Sequence, residues 1–196
     1  MSFNKFFSAA VSAVIFTAML PAAHAGWSLD NDSSQLNFVS VKADKVAEVH
    51  TFKTLSGKVD DAGYVEIAID LTSVDTNIAI RDERMKEFLF ETERFAVAVL
   101  TAQVDADAVA ELAVGSTQAL SVEGELTLHG QSEPVTLALN VVRLSDSELL
   151  AISSQPVIIN AGSFDLADGV EKLREIAGLP SISTAVPVTF SLTFKR

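Results

Sequence analysis

The side chains that could do acid–base or metal chemistry are few in this chain, which has three histidines and no cysteine among 196 residues. Without cysteine, disulfides, thiolate zinc ligands and a cysteine nucleophile are excluded. His50 and His129 show neither a His-x-His nor a His-Glu-x-x-His spacing, so the sequence predicts no metal site. His50 shares strand parity with Phe52 and is a candidate hydrogen-bonding group at the rim of a ligand site, with a purely structural histidine as the alternative. His129 precedes Gly130, where a turn hydrogen bond is expected.

A second candidate group is Arg81, Asp82 and Arg84. Asp82 falls in the first turn of a predicted helix, where the macrodipole favours a carboxylate. Arg81 suits an ion pair with a neighbouring acid or an anchor for a loop. We therefore favour a structural role over catalysis for this group. The serine pair at 153–154 lacks the Gly-x-Ser-x-Gly elbow of hydrolases, and the sequence contains no P-loop or dinucleotide fingerprint.

The first 25 residues have the pattern of a secretory signal peptide. Lys5 precedes an apolar run over residues 6–20, and Ala-His-Ala at 23–25 forms a cleavage motif. Cleavage is predicted after Ala25, which gives a mature domain of residues 26–196 in the periplasm. The run is shorter than the roughly 20 residues of a membrane span, so no integral membrane segment is expected. The net charge of −12 argues against nucleic-acid binding, which needs a basic face.

The elements that must position these side chains are mostly strands, because apolar and polar residues alternate with a period of two. Each strand has one polar and one apolar face, which is typical of antiparallel sheets. The glycine-flanked Asp60-Asp61 pair predicts a hairpin between residues 46–55 and 65–71. The alternating apolar positions are Leu36, Phe38, Val65, Ile67, Ile69, Leu71, Phe95, Val97, Val99, Leu120, Val122, Leu126, Leu128, Val135, Leu137, Leu139, Val141, Val186, Val188, Phe190, Leu192 and Phe194.

Two short helices are predicted, over residues 81–90 and 170–177. In the first, Met85, Phe88 and Leu89 fall at the i, i+3, i+4 spacing of one helix face. This stripe either covers the end of the sheet structure as a lid or belongs to its core, and both roles are compatible.

About eight strands of this kind have two closed arrangements, a two-sheet sandwich or a barrel, and the periodicity alone fits both. Eight strands suit a barrel just wide enough to hold one small ligand. We therefore predict a single all-β domain, an antiparallel barrel of about eight strands with one or two short helices.

Short motifs along the mature chain carry a resemblance to a known family. They are WSLD (27–30), SQLNF (34–38), VHTF (49–52), IDLTSVDT (69–76), RDERM (81–85), FLF (88–90), VEGELTLHG (122–130) and PVTL (134–137). In this order they resemble the YceI-like family of bacterial periplasmic proteins. The resemblance implies a lipocalin-like barrel whose apolar lumen holds a long isoprenoid lipid, either a polyprenyl chain or a quinone tail. Residues 160–178 depart from the basic-aromatic motif that is usual in the family, which leaves the head-group preference open.

The leading hypothesis is therefore a non-enzymatic periplasmic carrier of an isoprenoid lipid, with no cofactor apart from that lipid and with a homodimer as an open alternative. The rival hypotheses are an enzyme that hydrolyses or isomerises a lipophilic substrate, using His50 or the Arg81–Arg84 group, and a filled barrel with an interaction role. The rim and lid candidates are His50, Arg81, Met85, Phe88 and Leu89. The candidate lumen residues are Phe38, Phe52, Val65, Ile67, Ile69, Val97, Val99, Val122, Leu126, Leu137, Leu139, Val188, Phe190 and Leu192.

Overall fold

The computed structural model describes residues 26–196, and the predicted signal peptide, residues 1–25, lies outside this range. Within it the chain forms twelve strands and three α-helices. The strands are β1 (Trp27–Leu29), β2 (Gln35–Lys42), β3 (Val46–Phe52), β4 (Leu55–Val59), β5 (Tyr64–Asp70), β6 (Val74–Asp75), β7 (Val97–Gln103), β8 (Thr117–Leu128), β9 (Gln131–Ser145), β10 (Glu148–Ser153), β11 (Val157–Asn160) and β12 (Ala185–Lys195). The helices are α1 (Ala79–Arg84), α2 (Ala106–Glu111) and α3 (Ala167–Ala177), with a π-helical turn (Met85–Leu89) directly after α1 and 3-10 turns at Asn31–Ser33, Leu71–Ser73 and Ala161–Phe164.

The strands close into one antiparallel barrel with eight positions in its circuit. The order is β1–β4–β5–β7–β8–β9–β10–β12, and β12 returns to β1. Phe194 of β12 pairs with Leu29 of β1 on one side and with Leu149 of β10 on the other, which closes the wall. The prediction of an all-β antiparallel barrel is confirmed, and the sandwich alternative is wrong. The first half of β12 pairs with β2 and β11, so that these strands lengthen the wall at one end.

The predicted hairpin between residues 46–55 and 65–71 is only partly right. Pairing with β5 begins at Leu55, which lies opposite Ile69, whereas β3 pairs with β2. The strand is interrupted at residues 53–54, where both backbone amides donate to Ser73, one to its carbonyl and one to its hydroxyl. Because these amides bond to a turn, the ladder breaks there and the chain changes neighbours.

The alternation that predicts the strands also sets the two faces of the barrel wall. In β9, Leu137, Leu139 and Val141 are buried, and the residues between them are less so. Apolar side chains at every second position exchange contact with water for contact with each other, which stabilises the closed wall. The core therefore lies in the lumen, and the acidic residues of the strands face solvent.

Strand β7 corrects the prediction for Val97 and Val99. Val97 is 47% exposed, whereas Ala98 and Ala102 are 2% and 9% exposed. Successive side chains of a strand point to opposite faces, so Ala98, Leu100 and Ala102 face the lumen and both valines face outward. The two valines of this strand lie outside, and the small side chains of Ala98 and Ala102 leave room inside beside Leu100.

One end of the barrel is covered by α1, the π turn and α3, which pack together. Gly169 of α3 approaches the π turn so closely that a Cβ there would lie 2.6 Å from the Phe88 carbonyl oxygen, which only glycine avoids. The other end carries α2, a third helix that the sequence pattern did not indicate. Asp105 caps α2 by accepting from the amides of Asp107 and Ala108.

Candidate functional site

The lumen of the barrel contains two adjoining cavities. The outer chamber has a volume of about 340 Å³ and the inner chamber about 170 Å³. Both are within or near the size range of small-molecule sites. They share a ring of lining residues, which we call the waist: Leu36, Ile69, Leu100, Leu137 and Phe190. The two chambers therefore lie next to each other in the lumen with the waist between them, and we call the two together the tunnel.

Apolar side chains from all around the barrel line this tunnel. Beyond the waist, the outer chamber is lined by Trp27, Val59, Asp60, Asp61, Val65, Ile67, Ala102, Val104, Ala106, Asp107, Val109, Ala110, Leu120, Val122, Leu139, Val141, Leu149, Ala151, Leu192, Phe194 and Arg196. The inner chamber is lined by Phe38, Phe52, Leu71, Leu89, Phe90, Ala98, Leu126, Leu128, Val135, Val157, Ile159, Ala161, Leu166, Val170, Val186 and Val188.

The structure places twelve of the candidate lumen residues on the tunnel wall. They are Phe38, Phe52, Val65, Ile67, Ile69, Val122, Leu126, Leu137, Leu139, Val188, Phe190 and Leu192. Val97 and Val99 are not among the lining residues. That the twelve contact a ligand remains a prediction. Trp27 was missed because its strand has three residues, too few to show a period.

The wall of the inner chamber includes a group of aromatic rings. The rings of Phe38 and Phe52 stack with their centroids 5.2 Å apart, and Phe52 meets Phe90 at 5.6 Å. Such ring pairs add stability beyond the area they bury. Every residue that lines this chamber in the described chain is apolar, and none of them is exposed.

The lid candidates occupy three different environments. Leu89 lines the inner chamber, Met85 is buried in the core without lining either chamber, and Phe88 lies in a charged surface groove beside α3. Phe88 is therefore a correction, and Phe90 takes its place on the chamber wall. The physical reason is the π turn, in which the Phe90 amide donates to the Met85 carbonyl five residues back. This wider turn brings residues five apart onto one face, whereas a 3.6-residue period predicts three and four apart.

His50 lies beside the inner chamber without lining it. Its ring packs against Phe38 at a centroid distance of 5.2 Å, and its Nε2 shares a 2.8 Å hydrogen bond with the Ser40 hydroxyl. Nδ1 is buried and has no hydrogen-bond partner in the protein. Burial lowers the pKa of His50, and the nearby Arg81 guanidinium lowers it further, although Glu48 opposes this. His50 is therefore a neutral imidazole at neutral pH.

Arg81 and its neighbours form an ion-pair network at this end. The Arg81 guanidinium donates to Glu48 at 2.6 Å and to the Thr76 hydroxyl and carbonyl. Lys42 also pairs with Glu48 at 2.6 Å, and the hydrogen bond from Lys42, followed by that from Arg81, lowers the Glu48 pKa. Asp82 accepts from the amide and hydroxyl of Thr76. These contacts hold α1 to the barrel wall, as the structural interpretation of this group predicts.

His129 does not make the turn hydrogen bond expected from its place before Gly130, because its ring bonds to a residue far along the chain. Its Nδ1 donates to the Phe164 carbonyl at 3.2 Å and its ring packs on Phe95 at 4.5 Å. Among residues 26–196, no group of three or more His, Cys, Asp or Glu side chains is arranged to hold a metal ion. In the same range, no helix combines the length and apolar character that a membrane crossing requires.

The outer chamber opens to solvent at the α2 end. Asp60 and Asp61, in the turn between β4 and β5, face Asp107 of α2 across the opening, and all three are exposed. Arg196 also lines the opening, with its guanidinium carbon 4.4 Å from the centre of the Trp27 ring. We call these five residues the mouth.

Arg143 links α2 to the turn between β9 and β10, next to the mouth. This buried side chain donates to the carbonyls of Ala110, Ser145 and Asp146 at 3.2 Å each, and its guanidinium carbon lies 5.8 Å from the Trp27 ring centre. Its donors are therefore directed at the backbone that ends α2 and turns from β9 to β10. This polar residue sits at a position in β9 where the alternation alone predicts an apolar one.

Comparison with known proteins gives the same architecture. The sequence model of the YceI-like domain matches residues 27–194, whereas no curated protein sequence matches the chain. Among solved structures, a polyisoprenoid-binding domain from Saccharophagus degradans, implicated in plant cell wall breakdown, is 44% identical with a TM-score of 0.85; the match covers 86% of this chain and 97% of that one. BcnA of Burkholderia cenocepacia is 21% identical with a TM-score of 0.65, over 84% of this chain and 98% of its own. The YCEI protein of Campylobacter jejuni is 15% identical with a TM-score of 0.54, over 75% and 84%. These last two show the shared fold.

Proposed function

Because the chain belongs to the YceI-like family, we propose that it binds one isoprenoid lipid, a polyprenyl chain or a quinone tail, inside the barrel and carries it in the periplasm. The observation that carries the proposal is the pair of adjoining, mostly apolar chambers in the barrel lumen. The polyisoprenoid-binding domain from Saccharophagus degradans, 44% identical, supports it.

The energetics of the tunnel favour a long apolar chain. Burying one CH₂ group contributes about 0.8 kcal/mol. About ten such groups therefore provide roughly 8 kcal/mol, which corresponds to micromolar binding before the costs of association are subtracted. A lipid with several isoprene units reaches this value without any charged contact.

The periplasmic location rests on the signal-peptide pattern of residues 1–25. A carrier suits that compartment because a long isoprenoid has no stable free state in water, and a closed barrel keeps its chain from solvent. The lipid in this proposal enters and leaves unchanged.

The enzyme alternative has little support in the tunnel itself. The polar side chains that line it in the described chain are Asp60, Asp61, Asp107 and Arg196, all at the mouth. His50 and the Arg81 group lie outside the lining. The filled-barrel alternative does not fit the volumes of the chambers, and a homodimer remains a prediction.

Binding of a polyprenol to the purified mature protein tests the proposal. Phe190→Ala removes a ring from the waist and Ala151→Phe inserts one into the outer chamber, so each is expected to weaken binding about tenfold. Val97→Ala is the matched control on the outer face. Circular dichroism confirms that each variant is folded, and no binding by folded wild type would refute the proposal.

The same samples separate a carrier from an enzyme. Lipid recovered after incubation is expected to have an unchanged mass. A modified lipid that appears with wild type and is absent with His50→Ala would favour the enzyme alternative instead.

A further inference from the structure

The two ends of the tunnel differ in chemistry. The residues that line the inner chamber in the described part of the chain are all apolar, and they include the rings of Phe38, Phe52 and Phe90. A polar group placed there would lose its hydration without gaining a hydrogen bond, which is strongly unfavourable. The inner chamber therefore accepts only the apolar end of a lipid.

The mouth offers polar partners, and their charges are unequal. Three carboxylates, Asp60, Asp61 and Asp107, face one lining guanidinium, Arg196. Asp60 uses one oxygen to accept from two amides of its own turn, whereas Asp61 and Asp107 are exposed. The guanidinium of Arg143, whose central carbon lies 5.8 Å from the Trp27 ring centre, donates to three backbone carbonyls.

We propose that the isoprenoid enters tail first through the mouth, and that the mouth selects an uncharged polar head group over a phosphate. This inference rests on the proposed function. A hydroxyl or a quinone carbonyl can hydrogen-bond with the carboxylates or with Arg196, as its chemistry allows. A phosphate brings negative charge beside the carboxylates, and like charges at short range repel.

The position of Trp27 allows the orientation to be measured. It is the single tryptophan of the chain and lies at the mouth, so its fluorescence reports on that end alone. We would titrate the mature protein with a polyprenol that carries a nitroxide quencher near its hydroxyl, and with one that carries it at the far end of the chain. Tail-first entry predicts strong quenching by the first probe and little by the second. Stronger quenching by the second, or equal quenching by both, would overturn the orientation.

The charge preference is measured by competition between a polyprenol and the matching polyprenyl phosphate. At 0.1 M salt the Debye length is about 10 Å, so distant carboxylates contribute little. The phosphate is expected to bind about tenfold more weakly than the alcohol. In Asp61→Asn/Asp107→Asn this ratio should fall to about two.

A matched pair of variants controls for net charge. Glu125→Gln/Glu175→Gln removes two exposed carboxylates from the barrel exterior and from α3 at the opposite end, and should leave the ratio near ten. Phosphate binding as tight as alcohol binding in wild type, or a ratio that falls equally in both double variants, would overturn the charge preference. If neither lipid binds, the proposed function fails instead.

Discussion

Ala102→Leu distinguishes an empty tunnel from a packed core by the sign of its effect on stability. Ala102 is 9% exposed and lines the outer chamber of about 340 Å³. The three added carbons enter that space, and the burial of their apolar surface stabilises the folded protein by roughly 2.4 kcal/mol. Ordering the leucine side chain costs about 0.5–1 kcal/mol. The lipid-free variant should therefore be about 1.5 kcal/mol more stable than wild type, whereas overpacking a filled core costs about 1–3 kcal/mol.

Urea denaturation of protein refolded without lipid measures this difference. Ala119→Leu is the matched control, because Ala119 is exposed on the outer face of β8 and its replacement should change the free energy of unfolding by less than about 0.5 kcal/mol. The same Ala102→Leu protein should bind less polyprenol, since the leucine occupies chamber volume. A loss of stability in Ala102→Leu beside a neutral control would refute the tunnel.

Three further predictions concern pH, strand parity and export. Burial lowers the pKa of His50, so the unfolded chain takes up its proton before the folded protein does as pH falls. The free energy of unfolding should therefore decrease below about pH 6.5, and this decrease should be smaller in His50→Gln. Urea titrations at pH 7 and pH 5 measure both changes. Ala98→Asp buries a charge and should cost about 3 kcal/mol or more, whereas Val97→Asn should cost less than about 1 kcal/mol because residue 97 faces solvent opposite Asp70; similar thermal melts for the two would contradict the parity of β7. The intact mass of the exported protein should correspond to residues 26–196, and a mass that includes residues 1–25 would contradict the predicted cleavage.

The barrel could be predicted from the sequence because its strands alternate cleanly and because the ordered motifs resemble one family. Strand β7 shows where alternation fails. Its valines are larger than its alanines, so their size favoured the prediction that Val97 and Val99 face the lumen. The pairing of β7 with its neighbouring strands instead decides which face is buried. The π turn after α1 is a similar case, because one extra residue in the turn moves Leu89 and Phe90 to the places that a regular helix gives to Phe88 and Leu89.

The emptiness of the lumen could not be predicted from the residues alone. Alternation predicts which side chains point inward, but it does not predict whether those side chains contact each other across the barrel. That depends on the sizes of the inward-facing residues, such as Ala102 and Ala151, which line one chamber only once the barrel has closed. The mouth was missed for a related reason. Asp61, Asp107 and Arg196 lie far apart along the chain, in a turn, in α2 and at the last residue, and only the closed circuit brings them together.

Mass spectrometry of lipids extracted from the protein, purified from the periplasm of the cells that make it, tests the central claim most directly. The proposed carrier function predicts one isoprenoid lipid per protein, chemically unmodified, and a smaller amount of it in an Ala151→Phe variant that is folded. Extracts that contain no lipid, or only straight-chain lipids that persist in the blocked variant, would contradict it.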